Sequence, residues 1–246
     1  MIGFITLVFA LNIIFCNAQL ITKFQVCSRS DPDINSCLKS AILNALPVLK
    51  DGVTEYGLPS LEPFTLPKFV INAVPPTHFD QVYTNIKVYG FVFSQIEEVT
   101  AQITDDSFLI VIKALTGKVQ VTSDYEFEGA LFGGVDASSA GQCSVNIVNK
   151  SMTVKFSGSP QTVGGERYLE AKDIKIIDIK DEKVTFTFTS QDKPEAASLL
   201  TKKFDEHWEA ISMDEIQKAV GIYSAAFLKE ANVVFSKIPF DTLFPK

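Results

Sequence analysis

The residue types that most often do chemistry are few in this sequence and poorly spaced for it. Two histidines are present, His78 and His207, and neither has a second histidine, a cysteine or a carboxylate at metal-ligand spacing. His207 stands beside Trp208 in a helical pattern, where it reads as a surface or packing residue. Gly133-Gly134 and Gly164-Gly165 read as hairpin turns, and no nucleophile elbow, P-loop or dinucleotide fingerprint occurs. Glu97-Glu98 and Asp105-Asp106 are adjacent carboxylates. Strand neighbours project to opposite faces, so neither forms a local acid–base pair. The expectation is no catalytic residue, no metal and no cofactor.

The remaining reactive groups report on compartment. Met1 to Ala18 reads as a cleaved secretory signal: Phe4 to Phe15 is almost wholly apolar, and Cys16-Asn17-Ala18 puts small residues where a signal peptidase reads. No later stretch approaches the length of a membrane span. Residues 19–246 then form one domain, large enough for a sizeable core. Of the 4 cysteines, Cys16 leaves with the signal. Cys27 and Cys37 are ten residues apart and pair in an oxidising compartment, while Cys143 reads as buried. Asn149-Lys150-Ser151 is a glycosylation sequon placed at an expected turn. The formal net charge of −7 repels phosphate backbones and anionic membranes, so neither nucleic acid nor stable membrane association is expected.

What is abundant instead is apolar surface, with 20 phenylalanines. Asp33 to Lys50 has helical spacing (Ile34, Leu38, Ile42, Leu46, Leu49), opened by Asp31-Pro32 and ended or kinked by Pro47. Gly57 to Pro76 is proline-punctuated and extended. From Phe79 to Ser190 the period becomes two. Val119, Val121, Ser123, Tyr125 and Phe127 alternate with polar residues, as do Val184, Phe186 and Phe188. Val145 and Ile147 are expected to pair with Met152, Val154 and Phe156 across a turn at Asn149-Lys150. Ile174, Ile176, then Ile177 and Ile179, change face once, which predicts a bulge.

Pro194 opens a helix carrying Leu199, Leu200, Phe204, Trp208 and Ile211, and Ser212-Met213-Asp214-Glu215 is a capping-box pattern that predicts a kink or restart. A further stripe follows through Ile216, Val220, Tyr223, Phe227, Ala231 and Val234. Together these helices span about forty residues, or about 60 Å if continuous. The fold class is therefore α+β: an N-terminal helix, then a long, strongly curved antiparallel sheet wrapped around a long C-terminal helix.

A sheet wrapped round a helix can leave an apolar cavity between its layers, a site no motif search reveals. Enclosing a neutral chain of about fifteen carbons gains on the order of 12 kcal/mol before the costs of binding. The expected lining is Val119, Val121, Tyr125, Phe127, Val184, Phe186 and Phe188 from strands, with Leu200, Phe204, Trp208, Tyr223 and Phe227 from helices. Tyr125 and Tyr223 are candidates to orient a head group. The rival reading is a ligand-free secreted protein whose solid interior supports a surface patch for an unknown protein partner.

Four segments carry a resemblance. They are Cys27 with Asp33-Ile34-Asn35-Ser36-Cys37-Leu38; Gly57-Leu58-Pro59-Ser60-Leu61-Glu62-Pro63-Phe64; Asn85-Ile86-Lys87-Val88-Tyr89-Gly90-Phe91; and the close, Phe235 to Pro245. Together they resemble the takeout/juvenile hormone binding protein family of insects over essentially the whole chain after the signal. In the second segment, Glu62 and Phe64 depart from that family's aspartate-proline-leucine. The resemblance implies a secreted carrier with an internal tunnel for a hydrophobic ligand, a terpenoid such as juvenile hormone or a fatty-acid-like lipid. Three cysteines after the signal are one short of the second disulfide usual in haemolymph hormone carriers, which favours the takeout branch.

Overall fold

The structure, a computed structural model, describes residues 24–73, 78–131 and 134–246. The expected signal, Pro75-Pro76 and Gly133 lie outside these residues. The first helix, α1, spans Ile34–Leu49. Asp31 Oδ1 accepts the Asp33 N–H at 2.8 Å, and the Ser36 hydroxyl donates to Asp33 Oδ1 at 2.8 Å, so two aspartates organise its start. Pro47 lies inside the helix and does not stop it at once. It sits in the last turns, where its missing N–H removes one bond and the helix closes two residues later. A Cys27–Cys37 disulfide with a Cα–Cα distance of 5.8 Å ties the preceding segment to α1. Closing so short a loop contributes about 2–3 kcal/mol by restricting the unfolded chain.

Among the described residues nine strands form one sheet. They are β1 Phe64–Leu66, β2 Phe69–Ile71, β3 His78–Tyr89, β4 Gln95–Ile103, β5 Phe108–Leu131, β6 Val135–Asp136, β7 Ser139–Val163, β8 Glu166–Lys180 and β9 Lys183–Thr189. Every pairing is antiparallel. The spine is β5 against β7, of 24 and 25 residues, each about 80 Å long if straight. They stay in register from Phe108↔Gly158 to Phe127↔Ser139. One half of the spine carries β4 and β8, the other β3 and β9.

The expected hairpin at Asn149-Lys150 is therefore absent. Asn149 takes φ 48° inside a continuous strand, opposite Gly117, and the register with β5 passes through unbroken. What changes there is the face. On β5 the inward residues are Phe108, Ile110 and Ala114 before Gly117, then Val119, Tyr125 and Phe127 after it. On β7 Val145 and Ile147 face inward before Asn149, Met152 and Phe156 after it. An asparagine tolerates the left-handed conformation that a face switch needs. The bulge expected on β8 is found at Asp178, φ 53°, with one detail corrected: Ile177 stays exposed and Ile179 returns inward. Gly164 and Gly165, both at positive φ, form the β7–β8 turn.

Helix α2 (Pro194–Glu206) begins at its proline and packs Ala197, Leu200 and Phe204 on β9. It also covers that strand's free edge. Asp205 Oδ1 accepts the Phe186 N–H at 2.7 Å and Thr201 Oγ1 the Phe188 N–H at 2.9 Å, leaving fewer exposed donors for a foreign strand. The long helix α3 runs Trp208–Phe235, about 42 Å. The break lies at His207 (φ −122°), and the helix continues through the capping-box pattern at Ser212. The Ile211 N–H is already bonded to the His207 carbonyl, so the helix is under way before a cap at Ser212 is needed. α3 packs on β8 and β9 at one edge of the sheet and on β1 and β2 at the other. Contact with both edges requires that the sheet curl around the helix.

A last turn, α4 (Phe240–Leu243), is held by the N-terminal segment. The Phe240 ring lies between the guanidinium groups of Arg29 and Arg167, 4.7 and 4.8 Å from its centroid. Arg29 also donates to Asp241 Oδ1 at 2.6 Å and to the Phe244 carbonyl. Asp105, in the β4–β5 turn and not on a strand, accepts from Arg29 at 3.1 Å and from Lys246 at 3.2 Å.

Candidate functional site: an apolar cavity under the long helix

Two aromatic cores fill the ends of the curled sheet. Toward α2, Phe79, Tyr125, Phe127, Phe186, Phe188 and Phe204 interlock, with Phe188–Phe204 centroids 4.8 Å and Tyr125–Phe188 5.1 Å apart. Toward α1 and α4, Phe108 packs edge-on to Phe156 and Phe235 at 5.0 and 6.0 Å. Between them the packing opens into a cavity of about 160 Å³. Its floor is Val119 and Val121 of β5 with Val145, Ile147 and Met152 of β7. Ile176, Ile179, Val184 and Phe186 close one side, Tyr83, Ile86 and Phe91 the other, and Val220, Tyr223 and Phe227 of α3 form the roof.

The local geometry explains why space is left here. Among the described residues Asn85, Asn149 and Asp178 are the non-glycine residues at positive φ, and each is followed at once by a cavity-lining residue: Ile86, Lys150 and Ile179. β3, β7 and β8 thus switch their inward face around the zone where β5 switches at Gly117. Side chains on either side of a switch diverge, so the interior cannot interdigitate there as it does in the aromatic cores.

Six of the twelve expected lining residues surround this space: Val119, Val121, Val184, Phe186, Tyr223 and Phe227. Tyr125, Phe127, Phe188, Leu200 and Phe204 sit in the packed core beside it, Leu200 and Phe204 at 0% exposure, and Trp208 lies half-buried against that core. A period-two pattern identifies which face is apolar, but not whether the space in front of it is filled. Tyr125 exchanges a hydrogen bond with Ser139 at 3.0 Å. Burial pushes its hydroxyl above the usual tyrosine range, with the Ser139 bond opposing. Tyr223 faces the cavity, and burial alone raises its hydroxyl well above that range, so it remains a neutral donor.

Sequence reasoning missed Tyr83, Phe91, Met152, Ile179, Lys150 and Asp181 among the lining residues. The signal for Lys150 was the face change at Asn149, read as a turn, and the signal for Ile179 was the face change on β8, read as a bulge. Lys150 and Asp181 form an ion pair at 3.0 Å, with side-chain exposures of 12% and 3%. Cys143 is buried on the cavity wall, and Asn149 is exposed and donates to Glu182. A second, more open hollow of about 870 Å³ is lined mainly by polar residues such as Thr84, Asn85, Lys87, Thr122 and Asp124. Water satisfies such a surface, so the smaller apolar cavity is the better site for a hydrophobic ligand. Among the described residues no three metal-ligating side chains converge, and no helix is long and apolar enough to cross a membrane.

Two departures noted in the sequence have structural partners. The Glu62 carboxylate accepts the Gly90 N–H at 2.9 Å, pinning the β1 approach to the end of β3. Phe64 stacks on Phe227 with centroids 4.8 Å apart and planes 1° from parallel, tying β1 to the roof.

Comparison with known proteins agrees with this architecture. The fold superposes on the crystal structure of Takeout 1 from Epiphyas postvittana with a TM-score of 0.74 at 15% identity, covering 90% of this chain and 100% of that one. A protein of Schistocerca gregaria described as a putative beta-carotene-binding protein is 21% identical over 239 residues, 90% of this chain and 88% of that protein. The family model for haemolymph juvenile hormone binding protein matches residues 4–245. With a match over nearly its whole length, the chain belongs to the haemolymph juvenile hormone binding protein family.

Proposed function

We propose that this chain is a secreted carrier that encloses a small hydrophobic ligand in the cavity beneath α3. One observation carries the reading: an apolar cavity persists between two tightly packed aromatic cores in a protein with ample phenylalanine to fill it. Family membership supports hydrophobic-ligand binding in general, and the description of the Schistocerca gregaria relative points the same way. The ligand class is a terpenoid, such as juvenile hormone, or a fatty-acid-like lipid. Binding is non-covalent, and no residue is assigned a catalytic role.

The volume constrains the mechanism. An engineered cavity of about 150 Å³ holds a molecule the size of benzene, so about 160 Å³ admits one ring-sized or short-chain portion of a ligand. A longer chain displaces the lining, and both floor and roof have the means. Met152 in the floor is unbranched and adaptable, and α3 above it is a single unbroken helix, able to yield as a unit. Entry therefore couples ligand burial to movement of Tyr223 and Phe227.

Native mass spectrometry of protein secreted from insect cells, before and after organic extraction, tests the proposal. An extractable stoichiometric lipid is expected. Bare protein that takes up no member of a terpenoid and fatty-acid panel overturns the carrier reading in favour of the solid-interior rival.

A further inference from the structure

We infer that Lys150 and Asp181 are a polar anchor that selects ligands ending in a neutral hydroxyl group over ligands ending in a carboxylate. The inference rests on the carrier reading and names the part of the ligand that the cavity recognises.

The pair lies where an apolar lining has no evident need of charge. Lys150 Nζ donates to Asp181 Oδ1 at 3.0 Å, with Oδ2 at 3.4 Å, and among the described residues these are the only charged side chains on the cavity wall. Asp181 is 97% buried, since 3% of its side chain is exposed. Taking two charges out of water is costly, and an apolar pair of similar size often serves stability as well or better. Stability alone is therefore a weak reason for the pair.

The backbone holds it firmly. Asp181 lies in the turn between β8 and β9, where the Glu182 N–H donates to the Val148 carbonyl at 3.1 Å and the Asn149 side chain donates to Glu182. Residues 148–150 thus clamp residues 181–182, and the anchor is preorganised.

Its chemistry is bifunctional. An ammonium carries three N–H donors and a carboxylate about four acceptor sites, and their mutual contact uses only part of either set. A hydroxyl that enters between them accepts from Lys150 and donates to Asp181, adding no charge. A carboxylate accepts from Lys150 but brings a second anion beside Asp181, leaving net charge buried in an apolar wall. A ketone or ester satisfies only the lysine side. The preferred ligand is therefore an apolar chain or ring terminating in an alcohol.

Three probes of equal length test this: 1-dodecanol, 1-fluorododecane and dodecanoate, each displacing an apolar fluorescent dye from the full secreted chain at neutral pH. Wild type is expected to bind the alcohol about tenfold more tightly than the fluoride, the worth of one or two net hydrogen bonds, and the carboxylate no better than the fluoride. In the double variant Lys150→Met/Asp181→Leu the alcohol's advantage is expected to vanish while the fluoride's affinity is retained, which also reports that the cavity is intact. Equal binding of alcohol and fluoride by wild type, or preference for the carboxylate, overturns the anchor and leaves the carrier reading standing. Failure of all three probes to bind overturns both.

Discussion

Replacing Val145 with phenylalanine gives opposite outcomes for a cavity and for a solid interior. Val145 stands on β7 between Val121 of β5 and Phe186 of β9, and all three face the cavity. A phenylalanine there adds four side-chain carbons. At about 0.8 kcal/mol per buried carbon the gross gain is about 3 kcal/mol, reduced by the fixing of the ring and by imperfect fit. Cavity-filling substitutions commonly net about 0.5–2 kcal/mol of stabilisation, so Val145→Phe is expected to raise unfolding stability by about 1 kcal/mol. The ring also takes up part of the 160 Å³ beneath Tyr223 and Phe227, so affinity for hydrophobic probes is expected to fall about tenfold. If the interior were already full, the same change would overpack it and cost about 1–3 kcal/mol. Urea unfolding and dye displacement on one preparation measure both quantities. Destabilisation beyond 1 kcal/mol with probe binding unchanged refutes the cavity argument.

Arg29→Ala is expected to cost about 2–4 kcal/mol, because a guanidinium with 5% side-chain exposure stacks on Phe240 and bonds Asp241 and the Phe244 carbonyl; Arg29→Lys should recover little, lacking the planar fork. A loss under 1 kcal/mol in urea unfolding would show the clasp to be ornamental. The Asp105 carboxyl is held below its usual range, first by its hydrogen bond to Lys246 and further by the charges of Lys246 and Arg29, with desolvation opposing. Its folded value lies below its unfolded one, so its stabilising share is present above the ordinary carboxylate range and lost as pH falls through the lowered value. Asp105→Asn should flatten the acid limb of the stability profile, and an unchanged limb counts against it. The Tyr223 hydroxyl is raised, so at alkaline pH the unfolded chain ionises first and stability declines above the ordinary tyrosine value; Tyr223→Phe should lessen that decline in an alkaline denaturation series. At Asn149, φ 48°, a change to Gly should be tolerated and a change to Val should cost about 1–2 kcal/mol or more. Loss of a glycan mass in Asn149→Gly would also establish use of the sequon, and equal stability of the two variants would argue against a strained face switch.

The elements with a sustained period were legible in the sequence, because solvent enforces that period along their whole length. Ile34 to Leu49 at steps of three and four, Val119 to Phe127 at steps of two, and Pro194 at a helix start all correspond to the observed elements. Local punctuation was less reliable. Asn149-Lys150 has hairpin chemistry, yet β5 is long enough to pair both halves of β7, and keeping that ladder outweighs a reversal. Pro47 and the capping-box residues Ser212 to Glu215 carry end signals inside helices that tertiary packing continues. Of the site, the apolar faces of β5, β9 and α3 were legible, and the boundary between packed core and open space was not. That boundary depends on where four separate strands, β3, β5, β7 and β8, change face, a coincidence no single stretch of sequence records.

The same coincidence ties fold to function. A curled sheet with one uninterrupted inward face would close on its helix as the aromatic cores do, where ring centroids lie 4.8–6.3 Å apart. Interrupting it with residues at positive φ costs about 1–2 kcal/mol each, which selection for stability alone would remove. Asn85, Asn149 and Asp178 are polar side chains that tolerate this backbone, and each delivers its successor into the cavity wall. At Asn149 that successor is Lys150, which becomes inward-facing because the strand has switched. The charge in the wall and the space in front of it thus have one structural cause. Substitutions that straighten β7 at Asn149 should therefore remove polar anchoring and cavity volume together, whereas substitutions at Lys150 and Asp181 should remove the anchoring alone.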